Sequence, residues 1–310
     1  MRLRIAAAVM LPVLLCGCQR QGDAAVRTVS GTAVAAAVSA AAADTLPVLT
    51  VRAAAPLPDI RGLLDNMLRT EPVSRSLLRD AAWELCPEKN AARLTFRFSY
   101  ALPERRVRAM KRAARQTARE WAESAAGLPE TVRYLYLYHR LLHGCEYAAD
   151  AGLAGHSACG ALCDGKAVCE GYAEALLLLC RESGIPCLLV SGTAGAARQP
   201  HAWNLVYLRG AWYHADTAQD DCDPTASHRC FLMTDAQASL QYIWDAAVYP
   251  AADGQPVTYA DAVAEMMQSG SQPLSSRKLQ DTGDDGGGHA VEEGLLQRGD
   301  IQRFQIIMNA

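Results

Sequence analysis

The chain has 310 residues, half of them apolar and a fifth charged, with a formal net charge of −3. Such a balance fits a globular protein of one large domain or two small ones. It argues against a nucleic-acid binder, because no basic cluster interleaved with aromatics occurs.

The N-terminus carries Arg2 and Arg4, then an apolar run over residues 5–15 that is too short to span a bilayer. It ends in Leu15-Cys16-Gly17-Cys18, which resembles a bacterial lipobox. The resemblance implies a signal peptide over residues 1–17 and lipidation of Cys18. The mature protein would lie outside the cytoplasm, held to a membrane by lipid rather than by a spanning helix. An ordinary secretory signal cut nearby is the alternative. Without Cys16 and Cys18, nine of the 11 cysteines remain, so at least one is unpaired in a monomer. Disulfides are permitted in that compartment, and Cys222 with Cys230, which bracket a short Pro-containing loop, is the expected local pair. Thiols left free would pack as small hydrophobes.

Residues 18–58 are rich in Ala and Val with few charges, and read as a tether with one short strand near 48–52. Residues 60–85 suggest helices, since Leu63, Leu64, Met67 and Leu68 recur at helical spacing. Residues 93–101 alternate polar with apolar and predict a strand. A helix follows over 104–125, with Val107, Met110, Ala114, Ala118 and Trp121 on one face. Another starts after Pro129, with Val132, Leu135, Tyr136 and Leu142 on its buried stripe. Residues 156–164 read as a loop.

After Cys169 the pattern predicts a helix over 170–183, closed by Gly184 and Pro186. Residues 187–191 suggest a buried strand and 192–200 a loop. Residues 201–208 and 211–218 form a hairpin around Arg209-Gly210. Beyond it come a short strand at 231–233 and helices at 235–242 and 259–268. Residues 269–294 hold little apolar content and predict disorder; a last strand is expected at 301–308. The domain plan is therefore a signal over 1–17, a tether over 18–58, and an N-terminal unit over 59–131. A catalytic core over 132–245 and an extension over 246–310 complete it.

Cys169 precedes a helix, where free N–H groups and the helix dipole favour a thiolate. Its own N–H could also face an oxyanion. With a two-residue turn, Leu208 opposes Ala211, and the pairing continued places Trp203 opposite Asp216. Period two then puts His201 and Asp216 on one face as diagonal neighbours. A base and its orienting carboxylate need that arrangement. His214 shares the face and competes with His201 as the base.

These stretches together, Gly165-Lys166-Ala167-Val168-Cys169-Glu170-Gly171-Tyr172-Ala173, Gly184-Ile185-Pro186, His201-Ala202-Trp203-Asn204 and Trp212-Tyr213-His214-Ala215-Asp216-Thr217, resemble the transglutaminase-like superfamily, in its bacterial secreted branch. The resemblance implies an α+β, papain-like fold with helices on an antiparallel sheet. It makes Cys169 the nucleophile, His201 the base and Asp216 the orienter, acting on a protein or peptide amide. It differs from the family at Cys159, where relatives often carry an aromatic, and at Gln219. Cys159, Tyr172, Trp203 and Gln219 are the expected pocket positions.

No cofactor or metal is expected. Cys159, Cys163 and His156 lack the second ligand pair that zinc sites have. Asp220, Asp221 and Asp223 lack calcium-loop spacing and read as a solvated acidic turn. Nothing specifies an oligomeric state or decides between water and an amine as acyl acceptor. Two further readings stay open: a noncatalytic binding domain that keeps the fold, and a module in which Cys169 is a disulfide partner.

Overall fold

The computed structural model describes residues 28–269, apart from 73–74, 224 and 226–227. The lipobox with Cys18, and the disorder and last strand expected after residue 269, lie outside the described residues.

The first lobe begins with β1 (Thr28–Val29), α1 (Gly31–Ala43), β2 (Val48–Ala54) and α2 (Ile60–Thr70). A 3-10 turn over Arg75–Leu77 leads into β3 (Leu78–Glu88) and β4 (Ala91–Tyr100). The sheet order is β1-β2-β4-β3. Most of the expected tether is thus folded: α1 and β2 supply Val34, Val38, Val51 and Ala53 to a buried cluster with Leu64, Met67, Leu94 and Phe96. Residues 78–85 are strand rather than helix, because the backbone pairs with β4 from Leu78↔Tyr100 to Glu88↔Ala91.

The second lobe opens with two long helices, α3 (Glu104–Ser124) and α4 (Glu130–Gly144). Each follows a proline, which has no N–H to leave unpaired at a helix start. On α3 the predicted Val107, Ala114, Ala118 and Trp121 are buried and Met110 is half-buried. On α4 the predicted Val132 and Leu135 are buried but Tyr136 and Leu142 only half-buried, the buried face running instead through Tyr134, Tyr138 and Leu141. Then come β5 (Glu146–Tyr147), a 3-10 turn at Ala154–His156, a single π turn at Gly160–Asp164 and β6 (Lys166–Ala167).

Next is α5 (Cys169–Glu182), at the centre of the lobe. Its run from Ala175 to Cys180 is buried on every side, packed by α3, α4 and the sheet. A helix apolar all round needs such a position, and each fully buried leucine contributes about 1.5–3 kcal/mol. It stops at Gly184, whose φ of 72° suits glycine, while Ile185 N–H bonds back to the Cys180 carbonyl at 2.8 Å. That is a Schellman closure.

The second sheet follows: β7 (Cys187–Ala194), β8 (Gln199–Leu208) and β9 (Ala211–Ala215). Arg209 and Gly210 both have positive φ, as a two-residue primed turn requires, and Leu208 pairs with Ala211 as expected. Residues 192–200 are mostly strand, since β7 runs on to Ala194 and β8 starts at Gln199. After α6 (Thr217–Asp221) and α7 (Asp235–Ala238), β10 (Tyr242–Trp244) completes the order β10-β7-β8-β9. The strand expected at 231–233 is a single bridge, His214↔Met233. The helix expected over 235–242 is one turn followed by β10. The capping box of Thr258 and Asp261 starts α8 (Tyr259–Gln268), as predicted. The architecture is α+β.

The lobes meet beside α5. Glu174 accepts the backbone N–H groups of Arg75 at 2.5 Å and Ala158 at 3.1 Å. Arg75 reaches Ser191 Oγ at 2.5 Å, and Ser76 Oγ donates to the His156 carbonyl at 2.6 Å. Among the described residues no helix is long and apolar enough to cross a membrane.

Candidate active site

Cys169 is the first residue of α5 and is half-buried. The N-cap Val168 has no side-chain acceptor to offer, so the helix start is left for an anion. Gly171 lets this first turn lie against the preceding loop: a Cβ there would stand 2.2 Å from the Gly155 carbonyl oxygen. The same oxygen accepts the Val168 N–H at 3.0 Å.

His201 lies near the start of β8. Its Nε2 meets Asp216 Oδ2 at 2.5 Å, and Cys169 stands near enough to act electrostatically on the imidazole. With Nε2 committed to the carboxylate, Nδ1 is the atom left for sulfur. Burial works against a charged ring, but Asp216 and Cys169 outweigh it and push the imidazole up to about 10. The β8–β9 ladder ends at Asn204↔Ala215, so the pair expected between Trp203 and Asp216 does not form. Asp216 instead turns inward as the N-cap of α6, with Oδ1 accepting the Gln219 N–H at 3.0 Å. Asn204 ties the two halves together, donating from Nδ2 to the Ala173 carbonyl one turn beyond Cys169.

His214 has both ring nitrogens taken up by other partners. It is fully buried, its Nδ1 accepts the Trp203 indole N–H at 2.9 Å, and its Nε2 meets Asp235 at 2.8 Å. Burial pushes its imidazole down despite Asp235.

The four expected pocket positions sit in different surroundings. Trp203 is 1% exposed and stacks on His201 with ring centroids 6.0 Å apart, so it packs behind that ring. Tyr172 has no exposed surface, and its hydroxyl donates to Asp221 at 2.8 Å. Cys159 is half-buried against the core; burial, then the neighbouring Cys163 thiol, push it up to about 12. The side chain of Gln219 is exposed and lines a cavity of about 810 Å³ with Asp220, His139, His143 and His228. The acidic turn is not solvated as a whole. Asp220 is buried, taking the Tyr138 hydroxyl at 2.6 Å and the Cys230 N–H at 3.0 Å. Cys222 and Cys230 do not pair: Cys222 is exposed, and Cys230 is buried beside Tyr242 and Gln241. Among the described residues no group of three His, Cys, Asp or Glu side chains is set to hold a metal, and His156 pairs with Glu170 at 2.8 Å.

Two residues of the site had no signal in the sequence. Tyr242 donates its hydroxyl to Asp216 Oδ2 at 2.8 Å. Tyr147 is 38% exposed, stacks on Tyr172, and has its hydroxyl pushed up by burial and then by the neighbouring Cys169 and Cys222.

The site thus gathers a thiol at a helix start and a histidine–aspartate pair near the adjoining hairpin. Residues 112–217 match the model of the transglutaminase-like superfamily, a span that closes just beyond Asp216. The chain carries a transglutaminase-like domain. Kyphoscoliosis peptidase of Mus musculus is 28% identical over 117 residues, which are 33% of this chain and 18% of that protein. The chain therefore spans under a fifth of the length of this curated relative. Among solved structures, the periplasmic domain of TgpA from Pseudomonas aeruginosa aligns over 44% of this chain and 57% of its own, at 18% identity and a TM-score of 0.29. A TGase structure aligns over 54% of this chain and 50% of its own, at 15% identity and a TM-score of 0.31.

Proposed function

We propose that the protein is an extracytoplasmic thiol enzyme that cleaves an amide through a thioester on Cys169. The observation that carries this reading is the 2.5 Å pairing of His201 with Asp216 beside Cys169 at the N-terminus of α5. The Cys169 thiolate attacks the amide carbonyl carbon, and the oxygen takes the negative charge beside the first-turn N–H groups. As the tetrahedral adduct collapses, the C–N bond breaks and the amine leaves with the proton from the His201 imidazolium. Neutral His201 then takes a proton from the acceptor that opens the thioester. Water would give a carboxylic acid, the outcome of a peptidase or amidase. A primary amine would give a new amide, the outcome of a transglutaminase. Asp216 holds the His201 ring in register in both half-reactions.

Lipidation of Cys18 would place this site close to a membrane. Only nine residues lie between Cys18 and Thr28, so an extended chain reaches at most about 35 Å. Replacing Cys18 with Ala should move the protein from the membrane to the soluble fraction.

Iodoacetamide labelling of the native protein with peptide mapping tests the reading. Cys169 should alkylate selectively below about pH 7, where a free thiol of pKa about 8.5 is protonated, and His201→Ala should abolish this. An unreactive Cys169, or one bonded to another cysteine, would instead support the noncatalytic or structural readings. Peptide amides assayed with and without a primary amine then separate hydrolysis from transfer.

A further inference from the structure

We infer that Tyr242 is a positioning residue for the His201–Asp216 pair, so that the active machinery extends past residue 217 into β10. This rests on the reading that Cys169 and His201 act together. The Tyr242 hydroxyl donates to Asp216 Oδ2 at 2.8 Å, the oxygen that His201 Nε2 meets at 2.5 Å. Gln219 N–H holds the other oxygen at 3.0 Å. With donors fixed on both oxygens, the carboxylate cannot turn without losing a charge-assisted hydrogen bond.

The ring of Tyr242 does a second job. It stacks on the His201 imidazole with centroids 5.8 Å apart and planes 17° apart, and on Trp203 at 4.8 Å. The plane of the base is thus set by two aromatic neighbours as well as by one hydrogen bond. Tyr242 is 1% exposed, so it does not touch substrate and acts only through Asp216 and His201.

The backbone secures this placement. Gly192 of β7 pairs with both His201 in β8 and Trp244 in β10, and a Cβ on Gly192 would stand 2.1 Å from the Ile243 carbonyl oxygen. One glycine therefore lets the strand that carries Tyr242 close on the strand that carries the base. Without β10, Asp216 would lose one of its side-chain donors and His201 one of its stacking faces.

The ionisable groups around the pair come from several elements. Cys169 projects from α5, Asp216 and Asp220 from α6, and His214 from β9, the last held by Asp235 of α7. Cys230 lies 3.6 Å from the Tyr242 hydroxyl. Since Tyr242→Phe keeps the ring and removes only the hydroxyl, these neighbours stay in place.

The test is the pH profile of Cys169 alkylation in the full chain, compared between wild type, Tyr242→Phe and His201→Ala. If Tyr242 positions the pair, Tyr242→Phe moves the acid-side midpoint up by about one pH unit, a roughly tenfold loss of rate on that flank. Its melting temperature should change little. A selective, His201-dependent reaction in wild type with an unchanged profile in Tyr242→Phe overturns the inference and leaves the proposed function standing. A Cys169 that reacts in wild type no faster than a free thiol overturns both. Should Tyr242→Phe fail to fold, the wild-type Tyr242 hydroxyl proton can be sought by NMR. A slowly exchanging resonance that is lost in Asp216→Asn supports the bond, and its absence overturns it.

Discussion

Trp203 and His214 are joined by a 2.9 Å hydrogen bond from the indole Nε1 to the imidazole Nδ1. An indole N–H can only donate, so Nδ1 must be unprotonated and His214 carries its proton on Nε2, toward Asp235. His214 is therefore a neutral buried ring with both nitrogens in use. It sets the far edge of Trp203, whose face lies on His201. Shared parity on the hairpin makes His214 a competitor of His201; their partners separate them.

It follows that His214→Ala should weaken the fold without removing the reactive thiol. Losing a buried ring and leaving the Trp203 N–H and Asp235 without their partner should cost about 2–4 kcal/mol. Urea unfolding measures the loss. His201-dependent alkylation of Cys169 should survive, because Tyr242 and Trp244 still pack on Trp203. A folded His214→Ala protein with an inert Cys169 would return the base role to His214.

His201 gives a pH dependence with a definite sign. Burial opposes its charge, yet Asp216 and Cys169 raise it from 6.5 to about 10. A group with a raised folded value stabilises fully below its unfolded value, and that contribution is lost as pH rises through the folded one. Unfolding free energy should therefore fall between about pH 6.5 and pH 10. His201→Gln should flatten that slope relative to wild type. Parallel slopes in the two proteins would show that the imidazolium is not the stabilised species.

Glu174 should act in a lower window. Burial raises its carboxyl from 4.5 to about 7, against the lowering by the Arg75 and Ala158 N–H groups and by Lys111. The folded protein then binds a proton that the unfolded chain has released. The contribution is greatest below pH 4.5 and is lost as pH climbs to 7. Because Glu174 fastens the 3-10 turn of the first lobe to the loop before Cys169, the lobes should separate more readily toward neutral pH. Hydrogen exchange at Arg75 and Ala158 should rise between pH 5 and pH 7 in wild type, and lose that dependence in Glu174→Gln.

Much of this arrangement was legible because local chemistry decides it. Arg209-Gly210 dictates a primed turn and the turn dictates the hairpin register down to Asn204↔Ala215, beyond which the cap of α6 brings Asp216 to His201. Gly184 and the capping box at Thr258 mark helix ends in the same local way. The first lobe was opaque for a physical reason: α1 is almost all Ala and Val, with no polar face to reveal which side is buried. Residues 78–85 place apolar side chains at spacings that a helix also permits, and only pairing with distant β4 makes them strand. Tyr242 was read as the end of a helix because its role depends on β10 pairing with β7, about fifty residues earlier in the chain.

Gly171→Ala offers a test that touches neither Cys169, His201 nor Asp216. The added Cβ would lie 2.2 Å from the Gly155 carbonyl oxygen and 2.9 Å from Ala167 Cβ. The first contact is backbone, so no side chain can swing aside, and either α5 or the loop over residues 155–160 must move. Overpacking of this kind costs about 1–3 kcal/mol. The larger effect should fall on the thiol, since the displaced first turn carries Cys169 away from His201 while Asn204 still holds Ala173 to β8. Alkylation at pH 6 should drop by about tenfold or more, the loss that a misplaced catalytic group brings, in a protein that remains folded by circular dichroism. An unchanged rate in a folded Gly171→Ala protein would mean that the reactivity of Cys169 does not depend on where α5 begins.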